Sequence, residues 1–177
     1  LKGEYSTGAG AGIDVYSMRQ PLGVVAAITP FNFPAMIPLW KAGPALAAGN
    51  AVVLKPSELT PFTSLALARL AEEAGIPTGV INVLAGYGHS MVPAALATGQ
   101  IDKLVFVGSV PTGAKVAEAA ARHLVPCVLE LGGKSANIVF ADADLDRAVL
   151  GAQAAIFAGA GQSCVAGSRL LVERSIH

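Results

Sequence analysis

The stretch PLGVVAAITPFNFPAMIPLW, residues 21–40, decides the fold, because twenty consecutive uncharged residues are enough to cross a bilayer. Pro30, Pro34 and Pro38 divide it, since each would remove a backbone donor from one continuous helix. The run therefore reads as a strand, a turn and the start of a helix, and no membrane span is expected. The same alternation continues along the chain. Short runs rich in Val, Ile and Leu predict strands at 24–28, 51–54, 81–84, 103–106, 127–129 and 136–139. Helical spacing predicts helices at 38–48, 61–74, 90–98, 111–123 and 145–157. Gly49, Gly75 and Gly99 fall just past helix ends, where a left-handed cap is wanted, and Pro61 and Pro111 fall at helix starts. The expected class is α/β, a Rossmann-like parallel sheet with flanking helices. Residues 1–20, LKGEYSTGAGAGIDVYSMRQ, differ and read as a loop and an edge strand without its partner.

Composition narrows the partners. Twelve Lys and Arg balance twelve Asp and Glu, and no basic block marks a nucleic-acid footprint. With 53% hydrophobic and 14% charged residues, the chain is greasy, at a mean hydropathy of +0.58. That points both to strands buried on two faces and to surfaces meant to be covered. The N-terminus carries no signal pattern, and a chain opening on Leu1 without Met is expected to lack its true start. Two cysteines with no CxxC give neither a disulfide framework nor a zinc site, so a reducing, cytoplasmic setting is expected.

Several stretches can carry chemistry, each with a plainer alternative. In FVGSVPTGAK a strand ends at Phe106, Gly108 and Gly113 bracket a tight turn, and Pro111 starts a helix. Such a turn aims helix N–H groups at an anion such as a phosphate, or is simply structural. It is not a P-loop, since Ala114 stands at the lysine position and Val116 follows Lys115. Neither it nor Gly86-Tyr87-Gly88 completes GxGxxG. LKPSE sets Lys55, Ser57 and Glu58 after a strand, where α/β folds hold ribose hydroxyls; alternatively Ser57 or Thr60 caps the next helix. Asn32, between two aromatics and two prolines, is either a fixed amide donor for an oxyanion or a turn residue bonding its own backbone. Glu130 in LELGGK is a general base or a buried anchor. Cys127 reads as packing, whereas Cys164 lies among Gly159, Gly161 and Gly167, whose N–H groups suit a thiolate. DADLD lacks the glycine and distal glutamate of a calcium loop and is expected to cap a helix. His89, His123 and His177 have no ligand spacing, so no metal site is expected.

Taken in order, TPFNFP, WKAGPALAAGN, LKPSE, FVGS with a glycine four residues on, ELGGK and F-x-x-x-G-Q-x-C resemble the aldehyde dehydrogenase superfamily. PFNFPAMIPLW is similar to methylmalonate-semialdehyde dehydrogenases, while LELGGK and GQSCVAGSR are similar to general hydrolytic members, so no substrate follows. The resemblance implies NAD-dependent oxidation of an aldehyde to a carboxylic acid. Cys164 would be the nucleophile, Asn32 and the Cys164 N–H the oxyanion donors, Glu130 the activator of water and Lys41 a proton relay. For the cofactor it implies Lys55, Ser57 and Glu58 at the adenosine ribose, and Gly108, Ser109 and Gly113 at the pyrophosphate. Pro30, Phe31, Asn32 and Leu131 would line the nicotinamide side, and Thr112 replaces the usual aliphatic residue against the adenine. Glu58 should repel a 2′-phosphate, so NAD is expected over NADP. The family's later Glu-x-Phe-Gly-Pro segment is missing, so the chain reads as a piece of a homo-oligomeric enzyme, dimer or tetramer. Residues 1–19 would be part of the oligomerisation arm, 20–132 part of the NAD-binding domain and 133–177 the start of an α/β catalytic domain. The rivals are an acylating relative that uses coenzyme A, disfavoured by Glu130, and a dinucleotide-binding piece without catalysis.

Overall fold

A computed structural model describes residues 2–177; Leu1, where the expected arm begins, lies outside the described residues. Residues 21–40 resolve as the prolines dictate, with β3 (Val24–Ile28), an irregular turn and α1 (Met36–Ala47). The helix begins two residues before the predicted start. Pro38 therefore occupies its first turn, where no N–H is needed. Among the described residues no helix is long and apolar enough to cross a membrane.

Upstream of this run, β1 (Tyr5–Gly10) and β2 (Ile13–Tyr16) form an antiparallel pair, so the edge strand expected without a partner finds one a few residues away. The turn closes because Asp14 accepts from the Gly8 N–H at 3.0 Å and from the Tyr5 hydroxyl at 2.8 Å. Gly8 and Gly12 supply the left-handed backbone, at φ +64° and +71°. Glycines that read as loop are thus the hairpin's own turn chemistry.

Downstream, β4 (Ala51–Lys55), α2 (Phe62–Glu73), β5 (Ile81–Val83), α3 (Gly88–Ala97), β6 (Lys103–Gly108), α4 (Val110–Arg122) and β7 (Cys127–Leu131) complete a sheet of order β5-β4-β3-β6-β7. All its pairings are parallel. Alternate residues of β3 face opposite layers. Ala26 and Ile28 join Leu96, Leu104, Phe106 and Val116 under α3 and α4, while Ala27 joins Ala42, Val52 and Leu54 under α1. Burying each such Leu is worth roughly 1.5–3 kcal/mol. Gly49, Gly75 and Gly99 adopt positive φ just past α1, α2 and α3, as their positions predict.

The chain fills one side of β3 first and then crosses to the other, which makes the gap between β3 and β6 a topological switch point. Ligands of open α/β sheets bind beyond the carboxyl ends of strands at such a point. After β7 come β8 (Ala136–Val139), α5 (Leu145–Phe157) and β9 (Arg169–Val172). β9 was not predicted; it pairs parallel with β8 from Ala136↔Arg169 to Val139↔Val172. Asp144 caps α5 by accepting from the Arg147 N–H at 3.2 Å, the role expected of DADLD. The apolar excess is visible as exposed side chains, among them Phe62, Leu124, Phe157 and Val165.

Candidate active site

Register brings the expected cofactor residues to one edge. Ile28 pairs with Lys55 on one side and Phe106 on the other, and Gly108 pairs with Leu131. Pro30 to Asn32, Lys55 to Glu58, Gly108 to Gly113 and Leu131 therefore all stand at the carboxyl ends of β3, β4, β6 and β7.

At the end of β4 the Lys55 side chain is buried, its methylenes lining an apolar cavity of about 30 Å³ beneath α3. Its Nζ donates to Glu58 Oε2 at 3.0 Å. The Glu58 carboxyl is held below the ordinary carboxylate range, first by its own backbone N–H and then by the Lys55 ammonium. A buried cation beside an ionised acceptor matches the donor and acceptor needs of adjacent ribose hydroxyls. Ser57 is buried and accepts from the Leu59 N–H at 3.3 Å, while Pro61, with no side-chain bond, occupies the cap of α2. The alternative of Ser57 or Thr60 as that helix's cap does not hold; among the described residues Thr60 Oγ1 is buried without a partner.

At the end of β6, Ser109 caps α4: its Oγ accepts from the Thr112 N–H at 3.4 Å and donates to Thr112 Oγ1 at 2.9 Å. The Gly113 N–H bonds the Ser109 carbonyl at 2.8 Å, and Pro111 has no N–H. Among the first-turn amides this leaves Val110, which the sequence reading did not single out, as the donor for an anion. Gly113 is where α4 approaches β7, since a Cβ there would lie 2.5 Å from Leu131 Cδ2. Thr112 is exposed, and its hydroxyl bond to Ser109 accounts for a polar residue at that place.

Catalytic candidates enter two separate pairings across long stretches of chain. Asn32 Nδ2 donates to the Gln162 carbonyl at 2.7 Å, over 130 residues of sequence. The amide therefore does not satisfy its own turn but ties the segment after β3 to the loop that carries Cys164. Its second N–H stays free to donate, while Oδ1 is buried without a partner among the described residues. Lys41, on α1, forms an ion pair with Glu130 Oε1 near the end of β7, and the Glu130 side chain is half-exposed. Glu130 is thus paired rather than a buried anchor. Cys164 is exposed and free, whereas Cys127 is half-buried against the core. Before Cys164, Gly159, Ala160 and Gly161 all take positive φ, at 58°, 57° and 74°.

Sequence reading also missed Thr29. It follows β3 directly, is 3% exposed, and its Oγ1 has no partner among the described residues. Its position as the first residue past a central strand at a switch point was the available signal. The orphaned Thr29 hydroxyl and the buried Lys55 amine suit a dinucleotide along this edge; Lys55, Glu58 and the Val110 N–H would hold it.

Comparison with known proteins shows the family and the fold. The model of the aldehyde dehydrogenase family matches residues 1–177. The chain is 52% identical over 161 residues to the NADP/NAD-dependent aldehyde dehydrogenase PuuC of Escherichia coli, covering 90% of this chain and 32% of that protein. A crystal structure of an NAD-dependent aldehyde dehydrogenase from Sinorhizobium meliloti superposes with a TM-score of 0.96 at 46% identity, over 100% of this chain and 35% of that one. An NAD+ complex of aldehyde dehydrogenase from Bacillus cereus gives 0.94 at 42% identity, over 99% and 35%. The chain spans about a third of the length of these relatives. By sequence and by fold, the chain belongs to the aldehyde dehydrogenase family.

Proposed function

We propose that this chain carries the cofactor site and the nucleophile of an enzyme that oxidises an aldehyde to a carboxylic acid with NAD, NADP serving less well. The observation that carries the reading is the hydrogen bond from Asn32 to Gln162, which fixes an amide beside the loop of the only exposed cysteine among the described residues. In this reading the Cys164 thiolate adds to the aldehyde carbon, and the oxygen that becomes negative is met by the free Asn32 N–H and the Cys164 backbone N–H. NAD, when bound, supplies the acceptor for the departing hydride. Glu130 takes a proton from water, the hydroxide attacks the thioester carbon, and the carbon–sulfur bond breaks to release the acid and the thiolate.

Lys41 positions the Glu130 carboxylate through their ion pair, and by giving one ammonium proton to solvent it can then accept and pass on the proton that Glu130 takes from water. Glu130 supports hydrolysis over transfer to coenzyme A. Lys55 and Glu58 take the adenosine ribose, and Glu58, ionised at neutral pH, favours NAD by repelling a 2′-phosphate. Gly108, Ser109, Thr112 and Gly113 form the turn at the pyrophosphate, and Pro30, Phe31 and Leu131 line the nicotinamide side. Exposed Tyr5, Ile13, Val15 and Tyr16 on the hairpin support assembly with further copies, and two unpaired cysteines support a reducing, cytoplasmic compartment.

Aldehyde-dependent formation of NADH, followed by absorbance in the intact protein and in Cys164→Ala, tests the reading. The variant should lose at least about a thousandfold in rate while binding NAD as before. Equal rates would remove Cys164 from the chemistry.

A further inference from the structure

We propose that Gly167 is a positioning residue for the nucleophile: having no side chain, it lets the segment after Cys164 settle between Asn137 of β8 and Ala155 of α5, which sets where the thiol stands relative to Asn32. The inference rests on the reading of Cys164 as the nucleophile and Asn32 as an oxyanion donor.

The Cys164 segment is held on both sides. Before the cysteine, the Gln162 carbonyl accepts from Asn32 Nδ2 at 2.7 Å. After it, the Gly167 N–H bonds the Ala155 carbonyl at 3.0 Å, and the Arg169 N–H bonds the Ser135 carbonyl at 3.1 Å. Between these anchors the backbone has little slack. The Ala166 N–H closes a turn on the Ser163 carbonyl at 3.2 Å, with Cys164 at its second place, and the Ser168 N–H returns to the Ala166 carbonyl at 2.8 Å. Ala166 is 6% exposed, so the turn is pinned down. A shift at Gly167 therefore reaches Cys164, three residues away.

Gly167 contributes space rather than conformation. Its φ lies outside the left-handed region, so a substitution meets no left-handed strain. A Cβ there would, however, lie 3.1 Å from Asn137 Cβ and 3.3 Å from Ala155 Cβ, closer than the roughly 3.5–4.0 Å at which carbon atoms pack. Neither neighbour is the tip of a flexible side chain. Both Cβ atoms are fixed to backbone, Asn137 in β8 by its pairing with Leu170 and Ala155 within α5. An added methyl group therefore parts the segment from β8 and α5 by a few tenths of an ångström, while Asn32, which follows β3 of the parallel sheet, stays in place.

The test is a cycle of the parent, Gly167→Ala, Asn137→Gly and the double variant in the intact protein. Rapid mixing with aldehyde reads the burst of NADH, titration reads NAD affinity, and iodoacetamide reads the reactivity of Cys164. Alkylation displaces iodide from a saturated carbon and needs no oxyanion donor, so it reports the thiol without its alignment to Asn32. Gly167→Ala should slow the burst about 4- to 10-fold, in scale with the roughly 100-fold that a misplacement of about 1 Å costs, with NAD affinity and alkylation unchanged. In the Asn137→Gly background the same substitution should cost at least about 2-fold less, the lower end of the coupling between touching residues. A burst in Gly167→Ala equal to the parent's overturns the role of Gly167 while leaving Cys164 standing. So does a slowing matched in alkylation, which marks a general loosening of the fold, or one that Asn137→Gly does not lessen. A burst that survives in Cys164→Ala overturns the nucleophile and this inference together.

Discussion

The five-stranded sheet and the β8–β9 unit are held by different means. In the first, both faces are covered and Val52 and Leu54 are 0% exposed, so a continuous core fixes where the ends of β3, β4, β6 and β7 lie. In the second, no residue of α5 is buried, and the loop before β9 is anchored by single bonds. Asn32 reaches the Gln162 carbonyl, the Gly167 N–H bonds the Ala155 carbonyl at 3.0 Å, and the Arg169 Nε–H bonds the Lys134 carbonyl at 2.8 Å. The lesson is that damage in the two regions should be read by different instruments. Changes that loosen the core of the parallel sheet register as stability or cofactor affinity, whereas changes to the proposed catalytic groups, Asn32 and Glu130 at the sheet's carboxyl edge included, register as rate.

The largest effect that would sharpen this contrast is expected from Glu130→Gln. Removing the base should slow turnover by about 10²- to 10⁴-fold while rapid mixing still records one NADH formed per site. Loss of that burst would move Glu130 ahead of hydride departure. Asn32→Ala comes next, with kcat lower by about 10²- to 10³-fold and NAD affinity unchanged in titration. A weakened affinity of the same size would blur the two regions into one.

On the other side of the comparison stands Gly23, immediately before β3. It has φ +123°, and a Cβ there would collide with the Asp102 carboxylate, which accepts from the Val24 N–H at 2.7 Å. Gly23→Ala should cost about 1–3 kcal/mol in denaturant titrations, with activity per folded molecule retained. An unchanged midpoint would show that the sheet's amino edge tolerates rearrangement. The smallest effect belongs to Glu58→Gln, which should narrow the gap between NAD and NADP affinity by about 2- to 5-fold. Because the folded Glu58 carboxyl titrates below its ordinary range, its contribution is present above that range and fades as pH falls through the folded value. The variant should therefore lose part of the acid limb in thermal melts. A ratio that does not change would take Glu58 out of cofactor choice.

Much of the fold is legible in residue order because its signals are local. The apolar runs that become β3 and β8 have the predicted bounds, and the glycines past α1 to α3 take the left-handed backbone their positions call for. β9 was not legible because RLLV is a four-residue run whose partner, ANIV, lies more than thirty residues back. The hairpin was half legible, since its turn depends on one carboxylate, Asp14, reaching back to Gly8.

For the site, the sequence by itself determined which side chains could act: a cysteine among glycines, an amide between prolines, a carboxylate ending an apolar strand. Their residue types and family order sufficed for that. Only the tertiary structure decided who meets whom. That Asn32 bonds Gln162 and that Lys41 pairs with Glu130 are contacts set by strand register and helix packing. No local pattern encodes a distance between residues brought together from opposite ends of the chain, because that distance belongs to the packed core between them.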